Sequence, residues 1–161
     1  MNNIKKIVFI DMDGVLVDFG KEIELQQSLL KSNDKLLEQP DLIKGIFKNP
    51  PVFPGALNGV KTLYESNLFE LIIATTAPWG NHESASDKRV WIEKHFKGIF
   101  EKKMVITHRK DLLLGDYLID DRLANGAKEF KGELIRFGWD YENKKWNKYP
   151  NWESVIKKLI G

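Results

Sequence analysis

Short apolar runs recur along this chain, and they constrain its fold more than any other feature. They occupy residues 4–10, 69–75, 103–107, 117–119 and, more weakly, 133–137. They are largely continuous rather than alternating in hydrophobicity. Runs of that length suit strands buried on both faces, as in a parallel sheet. Helical patterns lie between them. Pro54-Gly55 opens a segment with Ala56, Val60, Leu63 and Tyr64 near helical spacing. Asp87 is the expected N-cap of a helix over 88–96, with Trp91, Ile92 and Phe96 on one face and Gly98 as its stop. Asn151 is placed to cap a last helix carrying Trp152, Val155, Ile156 and Leu159. Strand–helix–strand alternation predicts an α/β fold with helices on both faces of the sheet.

The length of 161 residues suits one domain, 1–161. Composition excludes several functions. Lys and Arg number 25 against 23 Asp and Glu, a net charge of +2. That balance argues against a nucleic-acid polymer or a membrane as a partner recruited through charge. The absence of cysteine removes disulfides, thiolate zinc sites and cysteine nucleophiles. The apolar run at residues 7–10 is too short for a secretion signal, and no stretch approaches the roughly 20 apolar residues that span a bilayer. A soluble, cytoplasmic protein is the expectation.

One region breaks the alternation. Residues 19–53 are too long for an ordinary strand-to-helix connection. They hold helical patterns (Ile23, Leu25, Leu29, Leu30; Leu36, Leu37; Leu42, Ile43, Ile46, Phe47) punctuated by Pro40, Pro50 and Pro51. An insert directly after the first strand belongs over the carboxyl end of the sheet, where open α/β sheets bind ligands. It is read as a small lid, the alternative being a helical hairpin packed elsewhere.

The residues just before the insert carry the densest chemistry. Asp11 and Asp13 stand two apart where a buried strand ends, and i, i+2 side chains of a strand face the same way. Two close carboxylates repel unless a cation or a shared proton intervenes. Gly14 permits a tight turn; an ordinary strand-end turn is the alternative. Three further strand ends add to the pattern. Thr75 and Thr76 precede Ala77-Pro78-Trp79-Gly80, Lys110 follows Thr107-His108-Arg109, and Asp120-Asp121-Arg122 closes the fourth run. Singly, the threonines read as β-propensity and the lysine as a solvated loop. Adjacent acids at a buried strand end are harder to explain as packing, and suit hard-oxygen ligation of Mg²⁺. Jointly the strand ends deliver carboxylates, a hydroxyl, a lysine and carboxylates to one face.

DMDGVLVDF, ATTAPWGN, HRK and YLIDDR together resemble the signatures of the haloacid dehalogenase phosphohydrolases. Within that superfamily the chain is most similar to the 5'(3')-deoxyribonucleotidases. Phe53-Pro54-Gly55-Ala56 and DKRVWIEKHF add to the likeness, which runs from Ile4 to about Arg122 and thins within the insert. The resemblance implies a three-layer Rossmann-like parallel sheet with a small helical cap, residues 19–53, after the first strand. It implies a Mg²⁺-dependent phosphomonoesterase working through an aspartyl-phosphate on deoxyribonucleoside 5'(3')-monophosphates; a monomer and a homodimer are both open. Asp11 is then the nucleophile, and Asp13 the acid and base, its backbone carbonyl also binding the metal. Asp121 is the direct metal ligand with Asp120 supporting it, Thr76 holds phosphate, and Lys110 offsets its charge. Lys88 is set aside as a residue of a solvated helix face. Substrate contacts are expected from Phe19, Phe47, Ala77, Trp79 and Arg122; a core position is the alternative for Phe47. Ala77 stands where some relatives carry a second hydroxyl. His95 reads as a core histidine on a helix's apolar face, and His82 and His108 are loop residues without metal-ligand spacing. Another small phosphomonoester, such as a sugar phosphate, remains an alternative substrate, and a phospho-accepting signalling domain a more distant alternative function.

Overall fold

The computed structural model describes residues 4–31 and 34–161. The elements in chain order are β1 (Lys6–Ile10), α1 (Phe19–Leu25), α2 (Gln27–Leu30), α3 (Asp34–Glu38), α4 (Ala56–Glu65), β2 (Phe69–Thr75), α5 (Ser84–His95), β3 (Met104–Ile106), β4 (Tyr117–Asp120), β5 (Glu133–Arg136), β6 (Trp139–Asp140), β7 (Lys145–Trp146) and α6 (Trp152–Ile160). Short 3₁₀ turns cover Pro40–Leu42 and Lys110–Leu112. The expected runs become the strands β1 to β5, which form one parallel sheet in the order β3-β2-β1-β4-β5. The fold is the expected α/β class, a five-stranded parallel sheet with helices between its strands.

Alternating strand residues divide between two cores. Val8, Ile10, Leu71, Ile73, Ile119 and Ile135 face the larger one, with Val60, Leu63, Trp91, Ile92, Trp152 and Val155 from α4, α5 and α6. Phe9, Ala74 and Leu118 face the smaller one, closed by Ala127 and Phe130. That second face is covered by turns rather than by a full helix, so the layer is thinner than the alternation suggests. α6 is anchored as expected: Asn151 accepts from the Ser154 N–H (2.9 Å) in a reciprocal capping box. Its Trp152 packs on Gly59 of α4, where a Cβ would meet the indole ring at 2.8 Å or less. The Trp152 indole N–H also donates to the Val15 carbonyl (2.9 Å). This pins the loop after β1 to the helical layer. α5 begins earlier than its expected Asp87 cap. Asp87 lies in its first turn, and the start at Ser84 has no capping side chain.

Residues 19–53 form their own small core from Leu30, Ile43, Ile46 and Phe47, with Phe19, Ile23 and Leu36 against it. The side chain of Leu37 lies outside the described residues. The segment is tied to the connection after β2. The Asn81 amide donates to the carbonyls of Asp41 (2.9 Å) and Ile43 (3.2 Å), and the Trp91 indole to that of Pro50 (2.9 Å). These contacts hold it at the carboxyl edge of the sheet. Among the described residues no helix is long and apolar enough to cross a membrane.

Candidate active site

The strand order places a topological switch between β1 and β4. The chain runs from β1 outward to β2 and β3, then crosses to β4 and β5 on the other side. Crevices at the carboxyl ends of such strands are where open α/β sheets take ligands. Asp11 is the first residue past β1, and its N–H donates to the Ile119 carbonyl of β4 (3.0 Å). The ladder thus extends to Asp11 and fixes its backbone position. Asp120 ends β4 and Asp121 follows it.

Lys110 joins these two ends. Its ammonium donates to Asp11 Oδ1 (3.0 Å) and to Asp120 Oδ2 (2.6 Å), and all three residues are buried. Burial pulls the Lys110 ammonium down, but Asp11 and Asp120 outweigh it and hold the group above the ordinary lysine range. Asp120 also accepts from the Arg122 N–H (3.0 Å), so both of its oxygens are engaged. Burial and then the Asp11 charge push Asp120 up to about 6, with Lys110 opposing.

Asp121 is the strained member. Burial first, and then the charges of Asp11, Asp120 and Asp13, push its carboxyl well above the usual range. Its Oδ1 is buried with no hydrogen-bond partner among the described residues. A buried, unpaired carboxylate oxygen is costly unless a cation meets it. Oxygens of Asp11, Asp120 and Asp121 lie within 4.8 Å of one another. The donor set is all hard oxygen, which fits a cation such as Mg²⁺. Gly14 is what lets Asp121 lie so close to the loop after β1. Its φ is +77°, and a Cβ there would fall 2.7 Å from Asp121 Cγ and closer still to Oδ2.

The second lysine overturns an expectation. Lys88 is 1% exposed and does not belong to a solvated face. Its ammonium spends all three protons inside the site: on Asp13 Oδ2 (2.7 Å), Thr75 Oγ1 (3.1 Å) and the Thr76 carbonyl (2.6 Å). A sequence signal was available. Ser84, Lys88, Trp91 and Ile92 are the buried residues of α5, and 88, 91 and 92 share one helical face. The long side chain crosses the apolar layer and delivers its charge at the strand end. Asp13 faces opposing influences: burial raises its carboxyl, Lys88 lowers it, Asp11 raises it, and the result is above the ordinary value.

The remaining expected residues are spread around this centre. Thr76 and Ala77 are half-buried beside the site, while Thr75, named with Thr76 at the strand end but not expected to hold phosphate, is fully buried with its hydroxyl on Lys88. Trp79 is 90% exposed on the loop after β2, and Arg122 is exposed after Asp121. Phe19 is half-buried. Phe47 is 2% exposed, with its ring stacked on Phe19 (5.3 Å) and the Lys88 ammonium 4.6 Å from its centroid. Its ring is committed to the protein, so its expected role as a base-stacking contact gives way to a core role. His95 lies half-buried on Trp91, and His82 and His108 are exposed.

Comparison with known proteins agrees with this geometry. Residues 31–160 match the family model of the 5' nucleotidase, deoxy (pyrimidine), cytosolic type C protein. A Vibrio phage KVP40 protein, described as a candidate 5'(3')-deoxyribonucleotidase, is 41% identical over 158 residues, covering 98% of this chain and 86% of that one. The cytosolic-type 5'(3')-deoxyribonucleotidase of Homo sapiens is 27% identical over 140 residues, 71% of this chain and 70% of that one. Among solved structures, a candidate HAD-hydrolase from Bacillus subtilis bound to magnesium superposes with a TM-score of 0.60 at 12% identity. That match covers 96% of this chain and 98% of the other, and speaks to the fold alone.

Proposed function

The chain belongs to the 5'-nucleotidase, deoxy (pyrimidine), cytosolic type C family and is a phosphomonoester hydrolase; on that premise we propose that it dephosphorylates deoxyribonucleoside 5'(3')-monophosphates in the cytoplasm through an aspartyl-phosphate, with Mg²⁺ as cofactor. The observation that carries this reading is the pairing of each N-terminal carboxylate with its own buried lysine at the β1/β4 switch, Asp11 with Lys110 and Asp13 with Lys88.

Lys110 engages Asp11 Oδ1 and leaves Oδ2 to attack phosphorus. The bond from phosphorus to the leaving oxygen breaks as Asp13 gives that oxygen its proton. The raised pKa of Asp13 supports its starting protonated, as an acid needs to be. Asp13, now a carboxylate, takes a proton from the water that attacks the phosphoryl group. Inorganic phosphate leaves and Asp11 is restored, so one difficult hydrolysis becomes two easier steps. Lys110 and the Thr76 hydroxyl bind the phosphoryl oxygens, and Lys88, its protons held by Asp13, Thr75 and the Thr76 carbonyl, adds positive charge beside them. Asp120 orients Lys110. Asp11, Asp121 and the Asp13 carbonyl would hold Mg²⁺, which would supply the positive charge that lets a carboxylate approach a phosphate dianion. Residues 19–53 act as the cap over the site, and Phe19, Ala77, Trp79 and Arg122 border the nucleoside.

The test is phosphate release with Mg²⁺ from deoxyribo- and ribonucleoside 5'- and 3'-monophosphates, sugar phosphates and p-nitrophenyl phosphate, with Asp11→Asn as the blank. Preference for deoxyribonucleotides, abolished in Asp11→Asn, is expected. Full activity in Asp11→Asn refutes the mechanism, and preference for sugar phosphates refutes the substrate.

A further inference from the structure

The hairpin β6–β7 has no part in the chemistry above, yet it is built against it. Its strands pair Trp139 with Trp146 and Asp140 with Lys145, and the two indoles meet edge to face at 5.2 Å. Its root lies on the active loops. A Cβ on Gly138 would stand 3.4 Å from the Gly14 carbonyl, and the Arg136 guanidinium donates to the Asp121 carbonyl at 3.4 Å. The turn that follows is held rigid. Asp140 accepts from the N–H groups of Glu142 and Asn143 (3.0 Å each) and from the Asn143 amide (2.8 Å).

This turn carries Tyr141. The residue is 69% exposed, but its hydroxyl reaches across to the first turn of α1. A Cβ on Gly20 would lie 3.0 Å from the Tyr141 hydroxyl and 3.9 Å from Asp18 Oδ1. Burial first, and then the charges of Asp121, Asp18 and Glu24, hold the phenol above the ordinary tyrosine range. The phenol therefore keeps its proton and serves as a donor. No hydrogen-bond acceptor for it is found among the described residues.

We propose that Tyr141 contacts the alcohol half of the substrate, its phenol donating a hydrogen bond to the sugar of a nucleoside monophosphate and so favouring nucleotides over esters without a sugar. The argument is positional. The phosphoryl group belongs at Asp11, and the leaving oxygen must face Asp13. The sugar then extends from Asp13 past the start of α1, where Gly20 lies beside the Tyr141 hydroxyl. This rests on the nucleotide-phosphatase reading.

Tyr141→Phe keeps the ring and removes the donor. Thymidine 5'-monophosphate and p-nitrophenyl phosphate are the probes, with Mg²⁺ present. A neutral hydrogen bond of this kind is worth about 3- to 10-fold. The kcat/KM for thymidine 5'-monophosphate is expected to fall by that factor, mainly through KM, while p-nitrophenyl phosphate stays within about twofold. Unchanged kinetics on both probes overturns the inference. An equal fall on both, with a lower Tm, overturns it in favour of a strut holding α1. Wild-type protein that hydrolyses p-nitrophenyl phosphate but no deoxyribonucleotide overturns the nucleotide reading itself, which the wild-type measurement alone reveals.

Discussion

Replacing Gly14 with alanine perturbs the site in two separable ways. The residue sits at φ +77°, where a side chain costs about 1–2 kcal/mol. The turn cannot relax easily, because the Gly14 N–H donates to the Val17 carbonyl at 2.9 Å. For a chain of this length each kcal/mol lowers Tm by about 2–4 °C, so strain alone predicts a loss of about 2–8 °C. The added methyl also collides with Asp121, whose Cγ would be 2.7 Å away, against ordinary carbon contacts of about 3.5–4.0 Å. The carboxylate must retreat by about 1 Å. Misplacement of that size costs on the order of 10²-fold in rate. Gly98 isolates the strain: its φ is +83° and a Cβ there meets nothing within 4 Å. Calorimetry, with phosphate release titrated against Mg²⁺, separates the two effects. Gly14→Ala and Gly98→Ala both lose stability, while only Gly14→Ala loses about 10²-fold in kcat/KM and needs more Mg²⁺. Wild-type activity in Gly14→Ala refutes the reasoning, as does an equal activity loss in Gly98→Ala.

Lys88→Met removes the ammonium that holds Asp13 and the Thr76 carbonyl, and is expected to lower kcat by about 10²–10³-fold. Because Lys88 lowers the Asp13 carboxyl, its loss also moves the limb of the pH–rate profile set by that group to higher pH. A loss under tenfold with an unmoved profile contradicts the assignment. Without metal, burial and the neighbouring carboxylates push Asp120 up to about 6 and hold Asp121 well above the ordinary carboxylate value of 3.8. The metal-free fold then binds more protons than the unfolded chain. Its advantage is complete below about pH 4 and is lost as pH rises through the raised folded values, about 6 for Asp120. A cation competes with those protons, so Mg²⁺ should raise Tm more at pH 7.5 than at pH 5, measured against EDTA. Equal shifts at both pH values rule out a site built on Asp121.

Much of the fold was legible because it is encoded locally. β2 runs over the same residues, 69–75, as its apolar run, and α6 begins at the Asn151 cap. The acids of the site were legible because they break apolar runs at strand ends. Other features fell below any periodicity. β6 and β7 are two residues each, too short for alternation to register, so Tyr141 was not singled out. α5 starts without a capping side chain, so Asp87 mimicked its start. By residue type Lys88 reads as surface, although its register with Trp91 places it on the buried face.

From its residues alone this chain determined a parallel α/β sheet, an insert after the first strand and a row of strand-end carboxylates, since period, caps and turns act over a few positions. Which lysine serves which carboxylate was decided by tertiary structure. Lys88 reaches Asp13 across 75 positions and Lys110 reaches Asp11 across 99. Such pairings depend on the strand order β3-β2-β1-β4-β5. Burial makes them strong, because an ammonium removed from water must satisfy its charge on whatever carboxylates the fold brings within reach.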